Sequence, residues 1–442
     1  MAKKLQGEKN KLTVLEWVFL TVCFLFFVLW SLQSDVHANP DEAMRFDIPK
    51  YIFENGRLPN GNDPTLRNPL WGFSYAYYPQ FFGPLVSTLF MAVSSLFSAN
   101  AHVLLVAARM TSVLCGVGTI YFTMKLSRRI LPHPFNWLMV VLVGMIPQFV
   151  YLSSYVNNDI VAVFASSIIF CAWVYGVQDG WNVKNAVMLG VGVSVCALSY
   201  YNAYGWILCS VIIFFASFYV EKGRTPDYRL MGRRAALIAG IALLVCGCFF
   251  IRNAVLYNGD FLGMKTLNAS SEQYAVDFLK PSLRNTPQNL GSSVWDMLNT
   301  QGWVETSRDS FVGILGKMDI ILPQFYYTYY TVIFWVGAAG AVGCILKRLV
   351  QKKWTRANTV WVLCMALCIV IPVALSIYYS YATDYQPQGR YVYPLLLALG
   401  LVVTKGIQFL ANPLPPYVKR GAVFCLCATC VISTAVVYFE MF

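Results

Sequence analysis

Uninterrupted apolar runs alternate with short polar connections along this chain, near residues 13–32, 103–124, 136–152, 160–178, 185–200, 203–220, 235–256, 325–346, 358–380, 391–411 and 421–440. A run of about 20 such residues, wound at ~1.5 Å per residue, matches the ~30 Å hydrocarbon core of a bilayer. The pattern predicts about eleven transmembrane helices. One further apolar stretch, 79–98, opens at Pro79 and holds Pro84 and several serines, and it reads as a juxtamembrane or re-entrant helix on the outer face. Two long polar connections, 33–102 and 257–324, interrupt the series. Loops of that length within a compact membrane domain are usually functional. In the first of them, apolar positions 44, 48, 51 and 52 recur at helical spacing until Gly56 and Pro59 end the run, which predicts an amphipathic helix lying on the outer leaflet. The expected fold is an all-α polytopic membrane protein, one integral membrane domain over 1–442, with juxtamembrane helices in the long first extracytoplasmic loop.

Composition agrees and excludes a water-soluble chain: 57% of residues are apolar, 12% are charged, and mean hydropathy is +0.55. The 13 cysteines stand mostly alone inside apolar runs, as small buried hydrophobes do, so no disulfide framework is expected. The formal charge of +12 reports sidedness rather than nucleic acid. Segments 1–12, 125–135, 179–184, 221–234, 347–357 and 412–420 together carry 20 Lys and Arg against four acids, Glu8, Asp179, Glu221 and Asp227. By the positive-inside rule these face the cytoplasm. The amino terminus is then cytoplasmic, while the carboxyl terminus and both long loops are extracytoplasmic. The first run lacks a small-residue cleavage site and reads as a retained anchor, and unpaired thiols suit a bacterial cytoplasmic (inner) membrane.

Charged residues at the outer boundary are the candidates for chemistry. Asp41 and Glu42 follow Pro40 just beyond the first span. Adjacent carboxylates there are costly to desolvate, and one can act as a base; a helix-capping role fits the same spacing. Asn158 and Asp159 stand at the outer start of the fourth span, where a cap and a second functional carboxylate are both consistent. Arg109, Arg252 and Arg390 lie at or near outer ends of spans, and Arg suits a lipid-linked phosphate at headgroup depth. Arg390 sits in a short loop with Gln386, Gln388 and Tyr391, and Tyr77 with Tyr78 supplies rings that line a sugar site or an interface belt. Phosphate-cradling Gly-rich loops, HExxH and GxSxG are absent. Energy for a reaction must arrive with the substrate or from a gradient.

In combination, Pro40-Asp41-Glu42, Asn157-Asn158-Asp159, Arg252-Asn253 through Tyr257 to Asp260, Ser310-Phe311 through Met318-Asp319 to Leu322-Pro323, and Gln386-Pro387-Gln388-Gly389-Arg390-Tyr391 resemble the GT-C membrane glycosyltransferases. These include protein O-mannosyltransferases and lipid A aminoarabinose transferases, and the likeness is nearest to a bacterial family without an assigned activity that carries PDE and QPQGRY motifs. The resemblance spans roughly residues 35 to 400. Asn258 is inserted in one motif, Leu315 stands where the family prefers Phe, and Met44-Arg45 replaces His-Phe. The resemblance implies an inverting transfer from a polyprenyl-phosphate sugar donor to a glycan, lipid or protein acceptor. Asp41 would be the base, Glu42 and Asp159 would orient, and Arg390 with Arg252 and Arg109 would bind the donor phosphate. Gln386, Gln388, Tyr391, Asn158, Tyr77 and Tyr78 would line the substrate. A divalent cation is compatible with three outer carboxylates, but nothing in their spacing demands one, and metal independence is expected. A lipid-linked glycan flippase and a glycan polymerase or ligase remain as alternatives.

Overall fold

The computed structural model describes residues 11–33, 35–219 and 226–441. Several charges counted toward sidedness, namely Lys3, Lys4, Glu8, Lys9, Glu221, Lys222 and Arg224, lie outside the described residues. The chain enters through α1 (Val14–Gln33) and forms α2 (Glu42–Asn55) and α3 (Phe82–Ser95) in the first long loop. It continues through α4 (Ala101–Ile130), α5 (Phe135–Gly144), α6 (Pro147–Leu152), α7 (Asp159–Asp179), α8 (Val183–Ala197) and α9 (Tyr204–Tyr219). Next, α10 (Tyr228–Ala242) passes through one π-helical turn into α11 (Cys248–Leu256). The second long loop holds α12 (Met264–Tyr274), α13 (Val294–Asn299), α14 (Trp303–Gly313) and a minimal antiparallel hairpin, β1 (Ile314–Leu315) with β2 (Ile320–Ile321), in register Ile314 to Ile321. The last helices are α15 (Gln324–Val350), α16 (Arg356–Ala382), α17 (Leu396–Ala411) and α18 (Pro416–Met441).

Among the described residues nine helices are long and apolar enough to span a membrane. Two of the eleven expected runs do not form such a helix alone. Residues 185–200 give only the 15-residue α8. Run 136–152 breaks at Met145–Ile146 into α5 and α6, because Pro147 has no N–H to continue the ladder. The carbonyl of Met145 is nevertheless satisfied: Tyr330 donates to it at 3.0 Å and Thr434 at 2.6 Å. Irregular backbone at membrane depth is tolerated where protein encloses it in this way, and every residue of 138–152 is buried. The stretch expected at 79–98 gives the 14-residue α3.

Helix α7 is the most enclosed of the spanning helices, and the α10–α11 rod lies outermost. Helices α15 and α17 approach until their backbones touch: a Cβ on Gly406 would stand 1.7 Å from the Gly337 carbonyl oxygen. Small residues permit this contact, which dispersion rather than water exclusion must hold in lipid. The apolar side of α2 does not lie on lipid as the sequence suggests. Ile48 and Ile52 are buried against Ala76 and Phe81, and Thr88 of α3 donates to the Pro49 carbonyl at 3.1 Å. The first loop is therefore a packed layer over one end of the bundle.

Candidate functional site

The site forms where that layer meets the start of the Gly389–Leu395 3₁₀ segment leading into α17. Asp41 occupies the position before α2 with φ +60°, a left-handed conformation unusual for a residue other than glycine, and its carboxylate makes no capping bond. It accepts instead from Arg390 Nη2 at 2.7 Å. Arg390 Nη1 stands 4.0 Å from Asp159, so one guanidinium bridges carboxylates 118 positions apart in the chain, 41 and 159. The capping role considered for Asn158 and Asp159 belongs to Asn157, whose Oδ1 accepts from the Ile160 amide at 2.9 Å. Asn158 is bound to Gln80 at 2.6 Å.

Arg390 is held from several sides. Gln388 Oε1 accepts from its Nε at 2.6 Å, and the Tyr391 hydroxyl from its Nη2 at 3.0 Å. Tyr391 in turn donates to Gln386. The loop carrying them packs backbone to backbone on α14: the Gly389 amide donates to Ser310 Oγ at 2.5 Å, and the Tyr393 hydroxyl to the Phe311 carbonyl at 2.9 Å. A Cβ at 389 would meet the Phe311 nitrogen at 2.1 Å. That contact is why two motifs nearly 80 positions apart, at 310–323 and 386–391, belong to one site.

Several buried polar atoms around this centre have no hydrogen-bond partner among the described residues: Arg390 Nη1, Asp159 Oδ2, the Tyr155 hydroxyl, Gln148 Oε1 and Arg45 Nε. Buried groups of this kind are rare in folded proteins, and a cluster of them offers hydrogen bonds to a polar ligand. Arg45, Tyr155 and Gln148 were not singled out in the sequence. Arg45 comes one helical turn after Asp41 on α2, which is the signal that identifies it, and its guanidinium lies 4.4 Å from the Tyr75 ring centre. Burial pushes the Asp41 carboxyl up, but Arg390 and Arg45 beside it outweigh burial and hold it below the usual carboxylate range. Burial and the Asp41 charge push the neighbouring Tyr75 phenol well up, so it remains a neutral donor. Tyr75 stacks on Tyr78, which meets Tyr201, forming an aromatic wall.

Four expected site residues lie elsewhere. Glu42 and Arg109 are both fully enclosed and form a closed pair: Arg109 Nε and Nη2 donate to the two carboxylate oxygens at 2.8 and 2.6 Å. Glu42 also accepts from the Val156 amide at 2.8 Å and Asn39 at 2.6 Å, while Arg109 Nη1 donates to the Ser31 carbonyl at 2.7 Å. An intramembrane charge finds its partner here rather than a ligand. Arg252 donates to the Pro59 carbonyl at 2.6 Å and Asn253 to that of Tyr77 at 2.8 Å, so this motif ties down the first loop. Tyr77 is buried, with its hydroxyl on Asn62 at 2.8 Å and its ring against Tyr257; the neighbouring Tyr78 is the one of the pair that remains half-exposed. Among the described residues no group of three His, Cys, Asp or Glu side chains is placed to hold a metal ion. Arg390 stands between the two site carboxylates.

Residues 57–399 match the family described as predicted membrane protein DUF2142. The chain belongs to the DUF2142 family. None of the curated proteins compared matches it. Among solved structures, this DUF2142 chain is similar to the oligosaccharyltransferase of Archaeoglobus fulgidus tethered to an acceptor peptide, with TM-score 0.57 and 12% identity over 96% of this chain and 54% of that one. A second structure of the archaeal enzyme, AglB with an inhibitory peptide and a dolichol-phosphate, gives 0.54 at 12% identity, covering 97% and 56%. ArnT from Cupriavidus metallidurans bound to undecaprenyl phosphate gives 0.50 at 15% identity, covering 96% and 72%. The DUF2142 chain thus spans about half the length of the archaeal enzyme, and it shares its fold with that enzyme and with ArnT.

Proposed function

We propose that this protein is an inverting glycosyltransferase that moves a sugar from a polyprenyl-phosphate donor to a hydroxyl of a cell-envelope acceptor on the extracytoplasmic face of a bacterial inner membrane. The observation that carries the reading is the bridge from Arg390 to Asp41 and Asp159, ringed by buried polar atoms without partners. The fold neighbours whose printed descriptions include dolichol-phosphate and undecaprenyl phosphate support it.

In the reaction, Asp41 takes the acceptor hydroxyl proton while the acceptor oxygen bonds to the anomeric carbon. The carbon–oxygen bond to the donor phosphate breaks, and its electron pair leaves on the phosphate. Arg390, whose Nη1 has no hydrogen-bond partner, meets the charge that grows there. Asp41 is a weak base while paired to Arg390. A donor phosphate that competes for the same guanidinium loosens that pair and raises its basicity. The bookkeeping of charge is favourable: as Asp41 is neutralised by the proton, the phosphate gains one negative charge facing the same two cations, Arg390 and Arg45. Asp159 orients Arg390 and the acceptor, and Tyr75 with Tyr78 offers the sugar a stacking face. No metal is required in this scheme, because Arg390 stands between the two carboxylates where a cation would sit.

The flippase alternative predicts broken helices whose ends face a ligand. The break at Met145–Ile146 is closed from within by Tyr330 and Thr434 and offers no such end. The test is release of free polyprenyl phosphate from polyprenyl-phosphate monosaccharides by purified protein with an envelope acceptor fraction. Release that Asp41→Asn and Arg390→Ala both abolish, and that survives a chelator, supports the reading. Full activity in Asp41→Asn overturns it.

A further inference from the structure

At the end of the bundle away from Asp41, helices α7, α15, α16 and α17 leave a cavity of about 750 Å³, within the ~300–1,000 Å³ usual for small-ligand sites. Arg390 and Lys405 stand at opposite ends of one continuous helical stretch, on the order of 20 Å apart at ~1.5 Å per residue. The cavity is therefore separate from the site described above. Its walls are apolar, with Phe170, Trp361 and Ile369 facing the small side chains Ala338, Ala341 and Ala366. Its rim reaches the exposed, apolar Val342 and Val362.

The lining contains three cations, Arg129, Arg348 and Lys405, and no Asp or Glu. Arg129 is answered by Asp179 at 2.7 Å. Lys405, half-buried, donates only to the Ile130 carbonyl at 2.7 Å, which leaves its charge uncompensated. The Arg348 guanidinium forms no hydrogen bond or ion pair among the described residues, and it lines the same cavity as Lys405. Two like charges at the edge of an apolar cavity favour an anion between them. Trp354 and Asn358 complete the polar rim, with the indole at the position where interfacial rings sit.

We propose that this cavity binds a glycerophospholipid with an anionic headgroup, its phosphate between Arg348 and Lys405 and an acyl chain along Phe170, Trp361 and Ile369. Charge complementarity selects the headgroup, and the apolar walls and rim select a lipid over a soluble anion. The basic bias of the connecting segments puts this end in the cytoplasmic leaflet, where anionic lipids concentrate. The donor of the proposed reaction has its phosphate at the Arg390 end, so the two lipid sites are independent.

Native mass spectrometry of the purified full chain with added phosphatidylglycerol or phosphatidylcholine tests this. Phosphatidylglycerol is expected to be retained preferentially. Arg348→Gln, a change at an exposed position, should weaken it about fivefold, as expected for ~1 kcal/mol per basic contact. Ala366→Trp, which fills the cavity, should abolish retention without touching a cation, and its thermal midpoint reports whether the fold survives. Equal retention of both lipids by the wild type, or wild-type retention in both variants, overturns the proposal. So does displacement of phosphatidylglycerol by equimolar undecaprenyl phosphate, which would make the cavity a polyprenyl site.

Discussion

Removing the Glu42 carboxylate should unfold the first-loop layer rather than slow a chemical step. Glu42→Ala removes both carboxylate oxygens that answer the Arg109 guanidinium, which stays at zero exposure, and it strands the Val156 amide. Breaking one partner of a buried pair costs about 3–5 kcal/mol, and an orphaned buried amide about 1–3 kcal/mol more. Because these losses share atoms they do not simply add, so about 4–6 kcal/mol is expected. Glu42→Gln keeps the shape and one acceptor and should cost less. The pair removed together, Glu42→Leu with Arg109→Met, should recover a substantial part, because no bare charge remains. Thermal midpoints of the purified proteins in one detergent give the four corners of the cycle. Glu42→Ala with the wild-type midpoint and no transferase activity would refute the structural assignment and return Glu42 to the chemistry.

Arg390→Lys retains charge but loses the fork that reaches Asp41, Asp159 and Gln388, and should lower donor turnover by about 10²-fold or more in the polyprenyl phosphate release assay. Gly389→Ala should lower the midpoint and activity together, because its Cβ meets the Phe311 nitrogen at 2.1 Å and backbone must move. Asp41 is held below its ordinary value by Arg390 and Arg45, so the stability its ion pair contributes is complete above about pH 4, the unfolded carboxylate range, and is lost as pH falls through the lower folded value. Arg45→Gln should accordingly shift the acid limb of activity toward higher pH, measured as a pH–rate profile. Tyr330→Phe with Thr434→Val should cost about 1–3 kcal/mol and more than either alone, since only together do they strand the Met145 carbonyl.

The membrane class and most of the helices were legible because lipid imposes a single requirement, a long apolar run with its backbone bonds satisfied internally. Residues 136–152 escaped that logic. A hydropathy window reads the apolar side chains but not the missing N–H of Pro147, nor the two hydroxyls from α15 and α18 that satisfy the Met145 carbonyl at the break. Asp41, Asp159 and Arg390 were recognisable as charges at one boundary, and the structure places them within contact. Arg109 looked equally available, since sequence shows where a charge lies in depth but not which way around the helix it points. Arg252 and Tyr77 were misplaced for a related reason: a polar residue that ties a loop and one that binds a substrate have the same composition. Arg45 needed only the i, i+4 relation to Asp41, a signal present in the sequence but masked by reading the acidic pair as the whole motif.

The two buried arginines that pair with the first loop lie at very different distances along the chain from their partners. Glu42 and Arg109 are 67 positions apart, whereas Asp41 and Arg390 are 349 apart. At roughly 5–20 residues per second of synthesis, Arg390 emerges tens of seconds after Asp41, while Arg109 follows within about ten seconds. The nascent protein can thus lock the residue beside Asp41 early, setting the left-handed backbone that aims its carboxylate, long before the guanidinium it will face has left the ribosome. The closed pair acts as a template laid down in the first quarter of translation, and the last quarter of the chain completes the site by docking onto it.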